Sequence, residues 1–167
     1  MDDNTITILS GDGKGRFTKN LFDAGIIPFG VAIGDLNADG NLDLAVINSP
    51  TISGGKAGKD GLTILLGDGK GNFTKLNGSP FETGLGPTRV AMGDLNNDGI
   101  DDIAVSNFNS NFISVYYMNK NSVQSSSQFS IGKGSDGIAI FDLDRDNKKD
   151  IIATSSTDNT VTIFFSK

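Results

Sequence analysis

Residues 34–46 read GDLNADGNLDLAV, and the phrase returns as GDLNNDGIDDIAV at 93–105 and, more distantly, as FDLDRDNKKDIIA at 141–153. Each stretch sets oxygen-bearing side chains at i, i+2, i+4 and i+8 of a short loop between two apolar runs. They are Asp35, Asn37, Asp39 and Asp43 in the first loop; Asp94, Asn96, Asp98 and Asp102 in the second; Asp142, Asp144, Asp146 and Asp150 in the third. A tightly curled segment with this spacing aims alternate side chains at one point. That suits calcium, which takes six to eight oxygens at about 2.3–2.6 Å in irregular geometry, better than magnesium, which demands a near-octahedral shell and keeps several waters. Position i+5 is Gly40 and Gly99, free to take the positive φ of a sharp turn; the third loop has Asn147, the next most tolerant residue. By the usual pattern of such loops, the carbonyl at i+6 adds a backbone ligand from Asn41, Ile100 and Lys148. About three calcium ions, one per loop, are expected.

An EF-hand loop also opens with this spacing but closes on an acid at its twelfth position. Here that position holds Val46, Val105 and Ala153, so the EF-hand is excluded. The flanks VAIGD and DLAVIN are short and β-branched and carry no helical periodicity, so the loops join strands. Turn chemistry alone also favours Asp, Asn and Gly, but an ordinary turn has no need to crowd several oxygen side chains together three times.

Composition points the same way. Of the 20 acidic residues only Glu82 is a glutamate, and ten of the aspartates fall on the positions just named. Three divalent ions would neutralise the formal charge of −6. An acidic chain with no basic run disfavours nucleic acid as a partner. There is no Cys, His or Trp, which removes thiol and imidazole catalysis, disulfides and most zinc or transition-metal sites. The clustered carboxylates read as metal ligands rather than a glycosidase pair, and no catalytic role is expected. No apolar run approaches the roughly 20 residues of a membrane span, and the N-terminus has no signal-peptide pattern.

A second element also repeats. NTITILSGDGKGRFT at 4–18 matches GLTILLGDGKGNFT at 61–74, with weaker copies at 111–121 and 159–167. Each is a strand with alternating apolar positions, and the first two run into a glycine-rich hairpin turn. GDGKG lacks the spacing and the following helix of a phosphate-binding loop. The chain order is therefore strand A, acidic loop, strand B, strand C, hairpin turn, strand D. Repeats of about 40–50 residues with four strands each are the sign of a β-propeller. The expected fold is all-β, with about three propeller blades of four antiparallel strands: C and D of a first blade at 1–27, full units at 28–82 and 83–133, and A to C of a last blade at 134–167. Val31 and Ile33 on strand A, and Leu44 and Val46 on strand B, are expected to be buried between blades. Phe17, Phe73 and Phe129, at similar places near strand D, are expected to pack there too.

The D-x-[DN]-x-D-G-x-x-D loop between strands A and B resembles the FG-GAP or VCBS repeat, the calcium-bearing blade of integrin-α-like propellers, and the likeness covers nearly the whole chain. It implies a propeller with calcium at each A–B hairpin, an extracellular or cell-surface location and a binding role toward a protein or glycan. The third loop departs from the pattern: Phe141 replaces the preceding glycine, Asn147 the motif glycine, and Lys148 and Lys149 adjoin the site, so it is expected to be the most altered. Three blades are fewer than the four to eight with which propellers typically close. Further blades of a parent chain, or self-association into a two-chain, six-blade ring, would complete the structure. In such a ring the N-terminal C and D strands of one chain would compete with the last strand of the other for one place.

Overall fold

The computed structural model describes residues 4–54 and 58–167. The elements are β1 (Thr5–Gly11), β2 (Phe17–Asp23), β3 (Pro28–Gly34), β4 (Asp43–Asn48), β5 (Gly61–Gly67), β6 (Phe73–Lys75) and β7 (Phe81–Glu82). They continue with β8 (Pro87–Gly93), β9 (Asp102–Asn107), β10 (Phe112–Asn119), β11 (Ser122–Ser130), β12 (Ser135–Phe141), β13 (Asp150–Ser155) and β14 (Thr160–Phe164). The chain is all-β, and every strand pairing is antiparallel.

The strands form four sheets in chain order: the hairpin β1–β2, the sheet β3–β4–β5–β6 with β7 also on β5, the sheet β8–β9–β10–β11, and the sheet β12–β13–β14. The sequence pattern gives thirteen strands; the fourteenth arises because strand D of the second sheet is cut into β6 and β7. Between them Leu76 turns into the core, 5% exposed, and Pro80 has no N–H to extend the ladder.

The core lies between sheets. Ala45, Ile47, Leu62 and Ile64 meet Ile103, Val105, Tyr116 and Met118, while Ala104, Ile113 and Val115 meet Ile151 and Ala153. Leu44, Val46 and Leu65 take the side chains of Ile6, Ile8 and Phe22 from the hairpin. Strands B and C are thus covered on both faces, which is why DLAVIN and LTILL are nearly continuous apolar runs rather than alternating ones. Tyr116 is buried and donates its hydroxyl hydrogen to the Glu82 carbonyl, while Tyr117 packs into the other interface.

Two expectations about strand A and the aromatics need correction. Leu44 and Val46 are buried, but Val31 and Ile33 are 49% and 60% exposed. Their counterparts Val90 and Met92 are covered because β3 and β4 lie against β8; among the described residues the β1–β2 sheet has no such strands to offer β3. Phe129 is the counterpart of Phe22, since they face Ile113 and Ile6 in register, whereas Phe17 and Phe73 face Gly11 and Gly67. Inter-sheet aromatic packing does occur: Phe22 meets Phe73 edge-on, and Phe129 meets Phe164, each at 5.3 Å between centroids. Phe17 stays 64% exposed.

Candidate metal centre

The three acidic loops connect β3 to β4, β8 to β9 and β12 to β13. Each is folded by its own side chains, because Asp and Asn can accept backbone N–H bonds locally. In the first, Asp35 Oδ2 accepts from Gly40 N at 2.9 Å, Asn37 Oδ1 from Asp39 N at 3.0 Å and Asp39 Oδ1 from Asn41 N at 2.8 Å. The second repeats the ladder: Asp94 with Gly99 N at 2.9 Å, Asn96 with Asp98 N at 3.0 Å, Asp98 with Ile100 N at 2.9 Å. So does the third: Asp142 with Asn147 N at 3.0 Å, Asp144 with Asp146 N at 3.2 Å, Asp146 with Lys148 N at 2.9 Å.

Two residues per loop carry positive φ. Position i+5 does so at Gly40 (82°), Gly99 (84°) and Asn147 (69°), and position i+3 at Ala38 (55°), Asn97 (62°) and Arg145 (65°). Asparagine therefore fills the glycine place in the third loop with the same backbone turn. The i+3 twist was not legible in the sequence, where Ala, Asn and Arg share no chemistry.

The residue at i+8 has a different setting. Asp43, Asp102 and Asp150 are buried at the start of strand B. One carboxylate oxygen of each accepts the loop's i+1 backbone N–H, from Leu36, Leu95 and Leu143. The other accepts a backbone N–H at the end of strand C, from Gly67 at 2.8 Å, Met118 at 2.9 Å and Ser166 at 3.1 Å. This aspartate thus ties loop, strand B and strand C together. Burial pushes Asp43 up and Asp102 up to about 6, despite the opposing N–H bonds. Asp150 goes the other way, held down first by the Leu143 N–H and then, against some desolvation, by Ser166.

Among the described residues, one acidic trio brings an oxygen from each member within 4.8 Å of the others: Asp142, Asp144 and Asp146. Asp35, Asp39 and Asp43, or Asp94, Asp98 and Asp102, do not converge so closely. In those loops the middle residue is an asparagine whose Nδ2 donates to the next carboxylate, Asn37 to Asp39 and Asn96 to Asp98, both at 3.0 Å. Asp144 cannot donate, so the third loop gathers three carboxylates with Lys148 Nζ 3.6 Å from Asp146 as their nearby counter-charge. Lys149 turns away over the Phe141 ring, 5.5 Å from its centroid.

Sequence reading also missed a link between loops. Asp101, at i+7 of the second loop, accepts Asp35 N–H on Oδ2 at 3.0 Å and donates its own N–H to the Asp35 carbonyl at 3.0 Å. A Cβ on Gly34 would lie 2.5 Å from Asp101 Oδ2, and one on Gly93 2.6 Å from Ile140 Cγ2. The glycine before each of these loops is needed for the close approach of the next sheet.

The FG-GAP-like repeat profile matches residues 52–105 and again 94–153, together more than half of the chain. The chain belongs to the FG-GAP-like repeat family. Both matches end on a strand B, in β9 and β13, and each spans parts of two successive sheets, so each straddles an inter-sheet core. A search of curated proteins found no match.

The donor set fits calcium. It consists of carboxylate, amide and carbonyl oxygens on a loop already curled by its own Asx bonds, and a carboxylate oxygen that accepts one N–H keeps a further lone pair. Asp35, Asn37, Asp39, Asp43 and the Asn41 carbonyl would hold an ion in the first loop. Asp94, Asn96, Asp98, Asp102 and the Ile100 carbonyl would do so in the second. In the third they are Asp142, Asp144, Asp146, Asp150 and the Lys148 carbonyl.

Proposed function

We propose that this chain is a calcium-stabilised β-propeller interaction module that binds a protein or glycan outside the cell. The observation that carries the reading is the threefold recurrence of one loop geometry, with hard oxygen donors at the same places and a trio of carboxylates gathered in the third. The ion's work is structural: it would offset the mutual repulsion of carboxylates that the fold has drawn together. In this reading the clustered carboxylates serve as metal ligands, and the chain's role is binding.

Strand topology puts the acidic loops and the GDGKG turns at one end of the sheets and the B–C and D–A connections at the other. At that other end, a cleft of about 300 Å³ is lined by Thr51, Lys59 and Asp60 of the β4–β5 connection and by Glu82, Thr83 and Leu85 where β7 leads toward β8. Its acid, base and hydroxyl groups suit a polar ligand such as a glycan or a charged peptide. A purely structural repeat array is the alternative, and a glycan array and pull-down that stay blank with calcium present would favour it.

Isothermal titration tests the metal assignment. About three calcium ions should bind per chain, and Asp98→Ala should remove one while leaving the other two. Titration without heat, or an unchanged count in Asp98→Ala, would overturn it.

A further inference from the structure

We propose that the β1–β2 hairpin of one copy inserts beside β13 of a second copy, in the place β14 holds within its own chain, closing two chains into a six-bladed ring. The proposal rests on the propeller reading above but not on calcium.

The first support is positional equivalence of β1 and β14. Aligning Thr7 with Thr162 sets Asn4 on Asn159, and both have positive φ, 50° and 54°. It also sets Gly11 on Gly67, Met118 and Ser166, the residues whose N–H groups are accepted by Asp43, Asp102 and Asp150. The hairpin is tied off as a complete C–D pair, since Ala24 N donates to the Asn4 carbonyl at 2.9 Å just as Ile131 N donates to that of Asn111. Yet among the described residues β1 pairs only with β2, so Gly11 has the position of the repeated lock without the aspartate. Laid on the β13–β14 register, β1 would pair Ile151 with Leu9, Ile152 with Ile8 and Ala153 with Thr7.

The second support is the pair of uncovered faces, Leu9 and Leu21 on the hairpin, 57% and 55% exposed, and Val31 and Ile33 on β3, 49% and 60% exposed. β14 fits its place poorly: Val161 and Ile163 are 63% and 44% exposed, whereas their counterparts Leu62, Ile64, Ile113 and Val115 are fully buried between sheets. At the same positions of β1, Ile6 and Ile8 already pack on the next sheet. The incoming β12–β13 pair would cover Val31 and Ile33 as β3 and β4 cover Val90 and Met92, so the new contact continues an interface the chain already uses twice.

The third support selects a second copy. At the two internal interfaces, a glycine (Gly34, Gly93) faces a charged i+7 residue of the next loop (Asp101, Lys149). At the two free ends these places hold Phe141 and Leu42, each 62% exposed. The end that offers a bulky apolar group in place of glycine and the end that offers an apolar group in place of a charge are complementary to each other and belong to the same chain.

The test is the molar mass of the full chain by light scattering over a concentration series, with and without calcium, alongside Leu42→Lys and Phe141→Lys. Both side chains are exposed in the single chain, so these variants leave its fold intact. The expected result is twice 17.5 kDa for the parent and a single-chain mass for each variant. Hydrogen exchange should show residues 5–11 protected and residues 160–164 open in the dimer. A mass of one chain at every concentration, as expected if further blades cover these faces, overturns the proposal. So does a dimer that ignores both substitutions, or one in which 160–164 stay protected. Calcium binding measured by titration stands or falls separately from each of these outcomes.

Discussion

At the scale of single residues, the acidic loops divide their oxygens between two tasks. Positions i, i+2 and i+4 curl the loop and face its centre, while position i+8 is a buried clamp on two backbone N–H groups. The clamp gives a pH signature. Because burial raises the Asp102 carboxyl to about 6 in the folded chain, the folded state holds a proton that the unfolded chain releases near an ordinary aspartate value. Its contribution to stability is therefore full below the unfolded value and is lost as pH rises through about 6. In chelator, the melting temperature of the parent should fall relative to Asp102→Asn between about pH 4 and pH 7; parallel curves would contradict this assignment. The i+8 positions were readable from spacing, but their N–H partners Gly67, Met118 and Ser166 lie in another repeat element, so only the folded register could reveal them.

At the scale of elements, alternation and repeat order disclosed most of the strands, because a strand buried on both faces and closed by Gly, Asn or Asp leaves a plain pattern. The split of strand D at Leu76–Pro80 was not legible, since one inward leucine and one proline weigh little in a pattern. The exposure of Val31 and Ile33 was not legible either: their alternation equals that of Val90 and Met92, and burial depends on which sheet stands in front. The glycines preceding the acidic loops are an element-scale requirement, set by the next sheet rather than by their own backbone. Gly93→Ala would press a methyl group to 2.6 Å from Ile140 Cγ2. Overpacking of this kind costs typically 1–3 kcal/mol, so urea unfolding should show a loss of about that size, and an unchanged midpoint would mean the two sheets part freely.

At the scale of the whole molecule, the cores between sheets make stability a matter of neighbours: each sheet buries its apolar faces only against the next. The loops add a clamp at one end of every A–B pair, and the Asp35–Asp101 bonds join two such clamps directly. Ligands that bind only the folded state stabilise it by mass action, about 1.4 kcal/mol per site at tenfold excess over Kd. For chains of this size each kcal/mol moves the melting temperature by about 2–4 °C. The most direct test of a calcium-stabilised fold is thermal unfolding in chelator against excess calcium. Three occupied loops predict a rise on the order of 10 °C, while a melting temperature that calcium does not move would contradict the account.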